Sequence, residues 1–351
     1  MALIEDFQRA QEKAQERAVE AARDAQEILR DAQEFALALA RERAEEASEH
    51  ARRATEAMPP GLLVRIVSSI VGIPLLILLV FMQAPPWWGA WPFMAATTVC
   101  ALAGGFEYFK GLRLRGFRPS EGLAYIAIAL FQFAAWKESR GQFAGLLPAL
   151  IAFLVVATLI QQVMRKDSEP IANIGATFLG VIYIGWLFSY LIYLRSLPGD
   201  ISVPLFGYHM PRTAWGAWAV LYVIAVTWST DAGAYFTGLR YGKRKLAPRL
   251  SPGKTVEGAV GGMFCAGLMS LAWGTWIGLP WYHCVLLGVT LGILAQAGDL
   301  CESAIKRDLG IKDFGTLLPG HGGILDRFDS LLFTAPIAYY YLLWIVRVGH
   351  S

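Results

Sequence analysis

The sequence predicts an all-α polytopic membrane protein, with about nine transmembrane helices preceded by a long polar N-terminal helix. Two observations lead there. Of the 351 residues, 55% are hydrophobic and only 17% charged, too apolar for one soluble core. The apolar residues also fall in blocks of about 20, the length that crosses a hydrocarbon layer about 30 Å thick at about 1.5 Å per residue.

The N-terminal element comes first. Residues 1–58 form an Ala/Glu/Arg-rich extension, and residues 1–57 carry 14 acidic and nine basic side chains, a net of −5, against +8 for the remainder. Nothing between Ala2 and Met58 breaks a helix, so the spacing allows a rod of about 85 Å. Its stripe of small apolar residues (Phe7, Ala10, Ala14, Ala18, Ala21, Ala25, Ile28, Ala32, Phe35 and Leu39) has coiled-coil spacing. A solvated helix held by Glu–Arg pairs competes with that reading; the preferred expectation is a self-association or partner-docking helix not needed for chemistry, a homo-oligomer being one outcome. No apolar run precedes residue 58, so no secretory signal is expected. "MPPG" at 58–61 stops the helix and separates the extension from the membrane domain, 59–351.

The expected spans are 62–82, 87–109, 123–136, 143–164, 171–194, 214–238, 256–277, 281–299 and 330–347. The third is short unless it begins within "RPSEGL". With a cytoplasmic N-terminus, the cytoplasmic loops hold 16 Lys and Arg residues and the opposite loops five, a positive-inside bias that supports this orientation; in a bacterium the expected location is the inner (cytoplasmic) membrane. Cys100, Cys265, Cys284 and Cys301 form no CxxC pair and read as small apolar fillers, Cys301 with some claim to more.

Two cytoplasmic stretches, 229–262 and 298–329, concentrate eight of the membrane domain's 14 carboxylates and ten of its 22 basic residues. A mixed-charge cluster at the membrane surface suits a metal-bound polyphosphate, with carboxylates holding the metal and cations the phosphates. Asp299, Ser303 and Lys306 follow at i, i+4 and i+7 and share a helix face. Asp326 and Asp329 stand one turn apart at the start of the last span. Gly322 and Gly323 allow a tight turn with backbone N–H groups near an anion. "SPGKT" at 251–255 offers a second loop of this kind before a helix start. It is not a Walker A loop, because Pro248 stands where the first glycine would fall. Asp231, in an apolar span, is a functional candidate by default.

The run "SAIKRDLGIKDFGTLLPGHGGILDRFD", 303–329, resembles the signature of the phosphatidate cytidylyltransferases (CDP-diacylglycerol synthases). Ser303, Lys306, Arg307, Lys312, Asp313, Gly315, Pro319, His321, Gly322, Gly323, Asp326, Arg327 and Asp329 occupy its fixed positions. "SPGKTVEG" and the Asp231–Tyr235 region resemble the family as well. The chain departs from the pattern at Leu239, where a basic residue is usual; Arg240 comes one position later.

The resemblance implies transfer of CMP from CTP to phosphatidic acid, giving CDP-diacylglycerol and pyrophosphate, at a site facing the cytoplasm. Mg²⁺ is the implied cofactor, with a second cation left open. The implied metal ligands are Asp299, Asp326 and Asp329. The implied catalytic set is Asp299, Lys306, Arg307, Lys312, Asp313, His321 and Asp326. Asp231, Ser251, Lys254, Thr255, Ser303, Gly322, Gly323 and Arg327 would bind substrate. His321 fits a structural role better than that of a general base, because the attacking phosphate is already ionised. CTP, phosphatidic acid and the bilayer are the expected partners, and no nucleic acid is. A CTP-dependent lipid kinase is the nearest enzyme alternative. A transporter is the alternative from another class, but it would carry midplane sites and repeated halves.

Overall fold

In a computed structural model of the chain, the described residues are 43, 62–82, 90–165, 169–198, 201–203, 208–210, 215–315, 317 and 322–346. The chain divides into two units, Met1–Leu62 and Leu63–Ser351. The N-terminal rod and its coiled-coil stripe lie outside the described residues, as does His321.

Among the described residues, nine helical rods fall on the nine expected spans: α1 (Leu62–Phe81), α2 (Trp91–Leu114), α3 (Glu121–Glu138), α4 (Leu146–Met164), α5 (Pro170–Arg195), α6 (Trp215–Tyr241), α7 (Val256–Trp276), α8 (Trp281–Asp308) and α9 (Leu325–Ile345). Five of them, α4, α5, α7, α8 and α9, are long and apolar enough to cross a bilayer, and α1 contributes a shorter apolar stretch, Val67–Phe81. This is an integral membrane protein. The short third span is an 18-residue helix that starts inside "RPSEGL", with Glu121 in its first turn.

Two rods change pitch. α5 runs as a π-helix over Val181–Trp186, where Gln132 of α3 donates to the Gly185 carbonyl at 2.6 Å. A π turn leaves a carbonyl off the regular ladder, and the Gln132 amide takes this one up. α9 becomes π-helical over Tyr341–Ile345, downstream of Pro336, which supplies no N–H to the ladder. Two short hairpins interrupt the helices. β1 (Ile201–Val203) pairs antiparallel with β2 (Tyr208–Met210). β3 (Lys245–Ala247) pairs with β4 (Ser251–Thr255) through an irregular register.

What positions the site is the seam joining α6, α7 and α8. In a bilayer, helices gain little from hydrophobic exclusion and associate where small residues let their backbones approach. A Cβ at Gly262 of α7 would sit 2.8 Å from the Thr230 carbonyl oxygen of α6, and one at Gly258 would sit 2.7 Å from that of Ala234. Across the next interface, a Cβ at Gly288 of α8 would meet Ser270 at 2.5 Å. Tyr222, Ser270 and the Cys284 carbonyl add a buried hydrogen-bonded link across the same three helices.

Candidate active site

Both chemistry-bearing stretches converge on one cleft of about 640 Å³, bounded by α6, the β3–β4 hairpin, α7, α8 and the start of α9. α6 contributes Asp231, one turn before Tyr235. The hairpin contributes Ser251 and Lys254. The "SPGKT" segment, expected as a loop, is strand β4, because it pairs with β3 and places Lys245 opposite Thr255. Its end does start a helix as expected: Thr255 caps α7 by accepting from the Gly258 N–H at 3.1 Å. Glu257 holds the other end of the hairpin, accepting from the backbone N–H groups of Lys243 (3.0 Å) and Arg244 (3.1 Å).

α8 reaches the cleft with the face that the i, i+4, i+7 spacing predicts. Asp299 lines the cleft, and the Ser303 hydroxyl points back at it from 3.5 Å. Lys306 lies at the centre of a buried network, with its ammonium 2.5 Å from Glu302 and 2.9 Å from Asp326. α9 begins at Leu325, so Asp326 and Asp329 lie inside its first turns. Asp326 also accepts from the backbone N–H groups of Phe314 (3.1 Å) and Gly323 (3.0 Å). Asp329 accepts from the Ser330 N–H at 2.6 Å.

The carboxylates sort into two groups. Asp299, Glu302 and Asp329 each offer an oxygen within 4.8 Å of the others. Asp326 is engaged by Lys306 and by the backbone, and it is not one of that trio. Glu302 is fully buried, and its Oε1 has no hydrogen-bond partner among the described residues. An all-oxygen set of this kind, with one buried oxygen left over, fits a hard divalent cation such as Mg²⁺. Two lysines sit against the trio: Lys306 on Glu302, and Lys254 of β4 on Asp299 at 2.5 Å.

Of the residues expected at the site, Asp231, Ser251, Lys254, Thr255, Asp299, Asp326, Arg327 and Asp329 all line the cleft. Ser303, Lys306, Gly322 and Gly323 stand directly behind it, Ser303 against Asp299 and the other three against Asp326. Arg307 instead donates to the carbonyls of Leu250 (3.2 Å) and Ile311 (3.2 Å), which ties the hairpin to the end of α8. Lys312 and Asp313 are exposed and do not line the cleft. Sequence reasoning counted Glu302 among the cytoplasmic carboxylates but gave it no role. Its signal was available: it stands three residues after Asp299 and four before Lys306, on their face of the helix.

A family model described as "Cytidylyltransferase family" matches residues 63–345. This chain belongs to that family, which makes it a nucleotidyltransferase, as the 303–329 signature implies. Among curated relatives, the phosphatidate cytidylyltransferase of Synechocystis sp. is 35% identical over 304 residues, spanning 81% of this chain and 97% of its own length. The protein of the same name from Bacillus subtilis is 40% identical over 192 residues, 54% of this chain and 66% of its own. That of Staphylococcus aureus is 38% identical over 193 residues, 54% of this chain and 67% of its own.

Proposed function

We propose that the chain is a phosphatidate cytidylyltransferase, which joins the CMP part of CTP to phosphatidic acid and releases pyrophosphate. The observation that carries this reading is the cleft itself, where a carboxylate trio and two lysines converge beside a glycine-bearing hairpin. An oxygen of the lipid phosphate attacks the α-phosphorus of CTP, the bond to the β-phosphate oxygen breaks, and pyrophosphate leaves. The nucleophile arrives already ionised, so no side chain has to remove a proton. The protein's task is to bring two mutually repelling anions together and hold them in line.

Asp299, Glu302 and Asp329 are the residues that would hold Mg²⁺, which when bound supplies charge neutralisation along the triphosphate. Asp326 anchors Lys306 and the turn at Gly323. Lys254 and Arg327 face the cleft and are the groups assigned to phosphate oxygens. Incubating the detergent-solubilised protein with CTP, phosphatidic acid and Mg²⁺ should yield a CMP-linked lipid and stoichiometric pyrophosphate by mass spectrometry. A phosphorylated lipid with CDP as co-product would instead establish the kinase.

We also assign the cleft to the cytoplasmic side of a nine-span bundle, on the strength of the Lys and Arg distribution. In a cysteine-free background, single cysteines at 241–250 and 310–318 should label only from the cytoplasm, and one at 199–202 only from the opposite side. Labelling of both sets from one side would overturn that topology.

A further inference from the structure

The helix that delivers Asp326 and Asp329 does not cap itself. Ile324, the residue before α9, offers no side-chain acceptor for the free N–H groups of the first turn. The acceptor comes from 218 positions away: Glu107 of α2 accepts from the Leu325 N–H at 3.0 Å. Glu107 is 2% exposed. A carboxylate buried at that depth persists only where its charge is compensated, and the N-terminus of a helix provides partial positive charge.

Two glycines of the signature are shaped around this side chain. A Cβ on Gly315 would collide with Glu107 Oε1 and fall 2.8 Å from its Cδ. One on Gly323 would fall 2.6 Å from Glu107 Oε2 and 2.8 Å from Asp326 Oδ2. Gly323 is thus held between two carboxylates, one from α2 and one from α9, and its own N–H binds Asp326. From Glu107 the contacts run without a gap to Gly323, Asp326, Lys306, Glu302 and the carboxylate trio.

We infer that Glu107 is a positioning residue for the reaction. From α2, outside the cleft wall, it fixes the first turn of α9 and the backbone at Gly315 and Gly323, and so aims Asp326, Lys306 and Asp329. It touches no substrate. The inference rests on the cytidylyl-transfer reading for its kinetic arm and on the structure alone for its exchange arm.

The experiment compares Glu107→Ala, Glu107→Asp and Glu107→Gln in the full-length protein in detergent, well below the melting temperature of each. Glu107→Ala should lower kcat by about a hundredfold, the scale of a misplacement of about 1 Å at the reacting centre, with both KM values nearly unchanged. Glu107→Gln keeps an acceptor of the same reach and should recover most of the rate. Hydrogen–deuterium exchange at the Leu325 amide should accelerate in Glu107→Ala and stay slow in Glu107→Gln. Gly315→Ala should cost much in the parent, where its methyl group meets Glu107, and little more in the Glu107→Ala background. If Glu107→Ala does not accumulate folded, Glu107→Asp carries the comparison, since one methylene less withdraws the acceptor from Leu325. Wild-type kcat in the folded Ala or Asp variant, unchanged exchange at Leu325, or an equal Gly315→Ala cost in both backgrounds would each overturn the inference. A parent protein that makes no CMP-lipid, yet still shows the exchange effect, would sink the functional reading and leave the Glu107 contact standing.

Discussion

Replacing Asp299 by Asn should lower turnover by about a thousandfold or more, with the protein still inserting and purifying normally. Asp299 is where two parts of the site meet. One oxygen belongs to the trio with Glu302 and Asp329, and the carboxylate also holds Lys254 at 2.5 Å. The Asn side chain keeps the volume and removes the charge, so the proposed cation site loses a carboxylate and Lys254 loses its ion pair together. The side chain is about one-third exposed, so folding bears little of the loss. Initial rates of CDP-lipid formation across a Mg²⁺ titration check this. Recovery to near-normal turnover at saturating Mg²⁺ would remove Asp299 from the metal set.

Lys306→Met should damage both stability and catalysis, the second-largest effect expected. Its ammonium lies between Glu302 and Asp326, whose side chains are 1% and 6% exposed. Removing one partner of a buried ionic group leaves uncompensated charge, at a cost of about 3–5 kcal/mol. In this case two carboxylates are left facing one another. The variant should melt well below the parent in detergent and show negligible turnover. Adding Asp326→Asn to Lys306→Met removes one of the stranded charges, so the melting temperature should recover in part while activity does not. A Lys306→Met protein with the parent's melting temperature would mean that the network is not the buried unit described. Lys306→Arg should not rescue, because the planar guanidinium needs a wider slot than a point charge.

The helical rods were legible because apolar length is a one-dimensional property. Each apolar block of about 20 residues became a helix, and five of these are long and apolar enough to cross a bilayer, where backbone polar groups find no partner but their own chain. The last apolar span was expected from residue 330 and the helix begins at Leu325, taking in the Asp326–Asp329 turn; what the sequence could not show is that its first turn is capped by Glu107, a residue remote in sequence. The π segments of α5 and α9 were invisible for a similar reason, as they depend on packing against other rods. At the site, spacing along α8 correctly grouped Asp299, Ser303 and Lys306. Spacing along α9 put Asp326 and Asp329 one turn apart, but it could not reveal that they would take different partners. That division is set by where Glu302, Lys306 and Gly323 lie in space. Glu302 was within reach of the α8 spacing, whereas for Glu107 the sequence leaves a functional and a structural role about even, because its partners Leu325, Gly315 and Gly323 lie more than 200 positions away.

The glycine seam between α6 and α7 sets what this site can adjust. Gly258 and Gly262 bring α7 against the carbonyls of Ala234 and Thr230 on α6, and the short side chains of Thr237 and Cys265 close the rest of the seam against Gly261 and Gly233. The wall of the cleft that carries Asp231 and the wall rooted at Thr255 therefore behave as one casting, with a fixed gauge between them. Compliance has to come from elsewhere, and the parts that can supply it are the β3–β4 hairpin, tethered at Glu257 and Arg307, and the turn around Gly322, which is held at a φ of +86°. Tolerance for substrates of different bulk should follow the stiffness of those two pieces, much as the bite of a vice with one immovable jaw follows its moving screw.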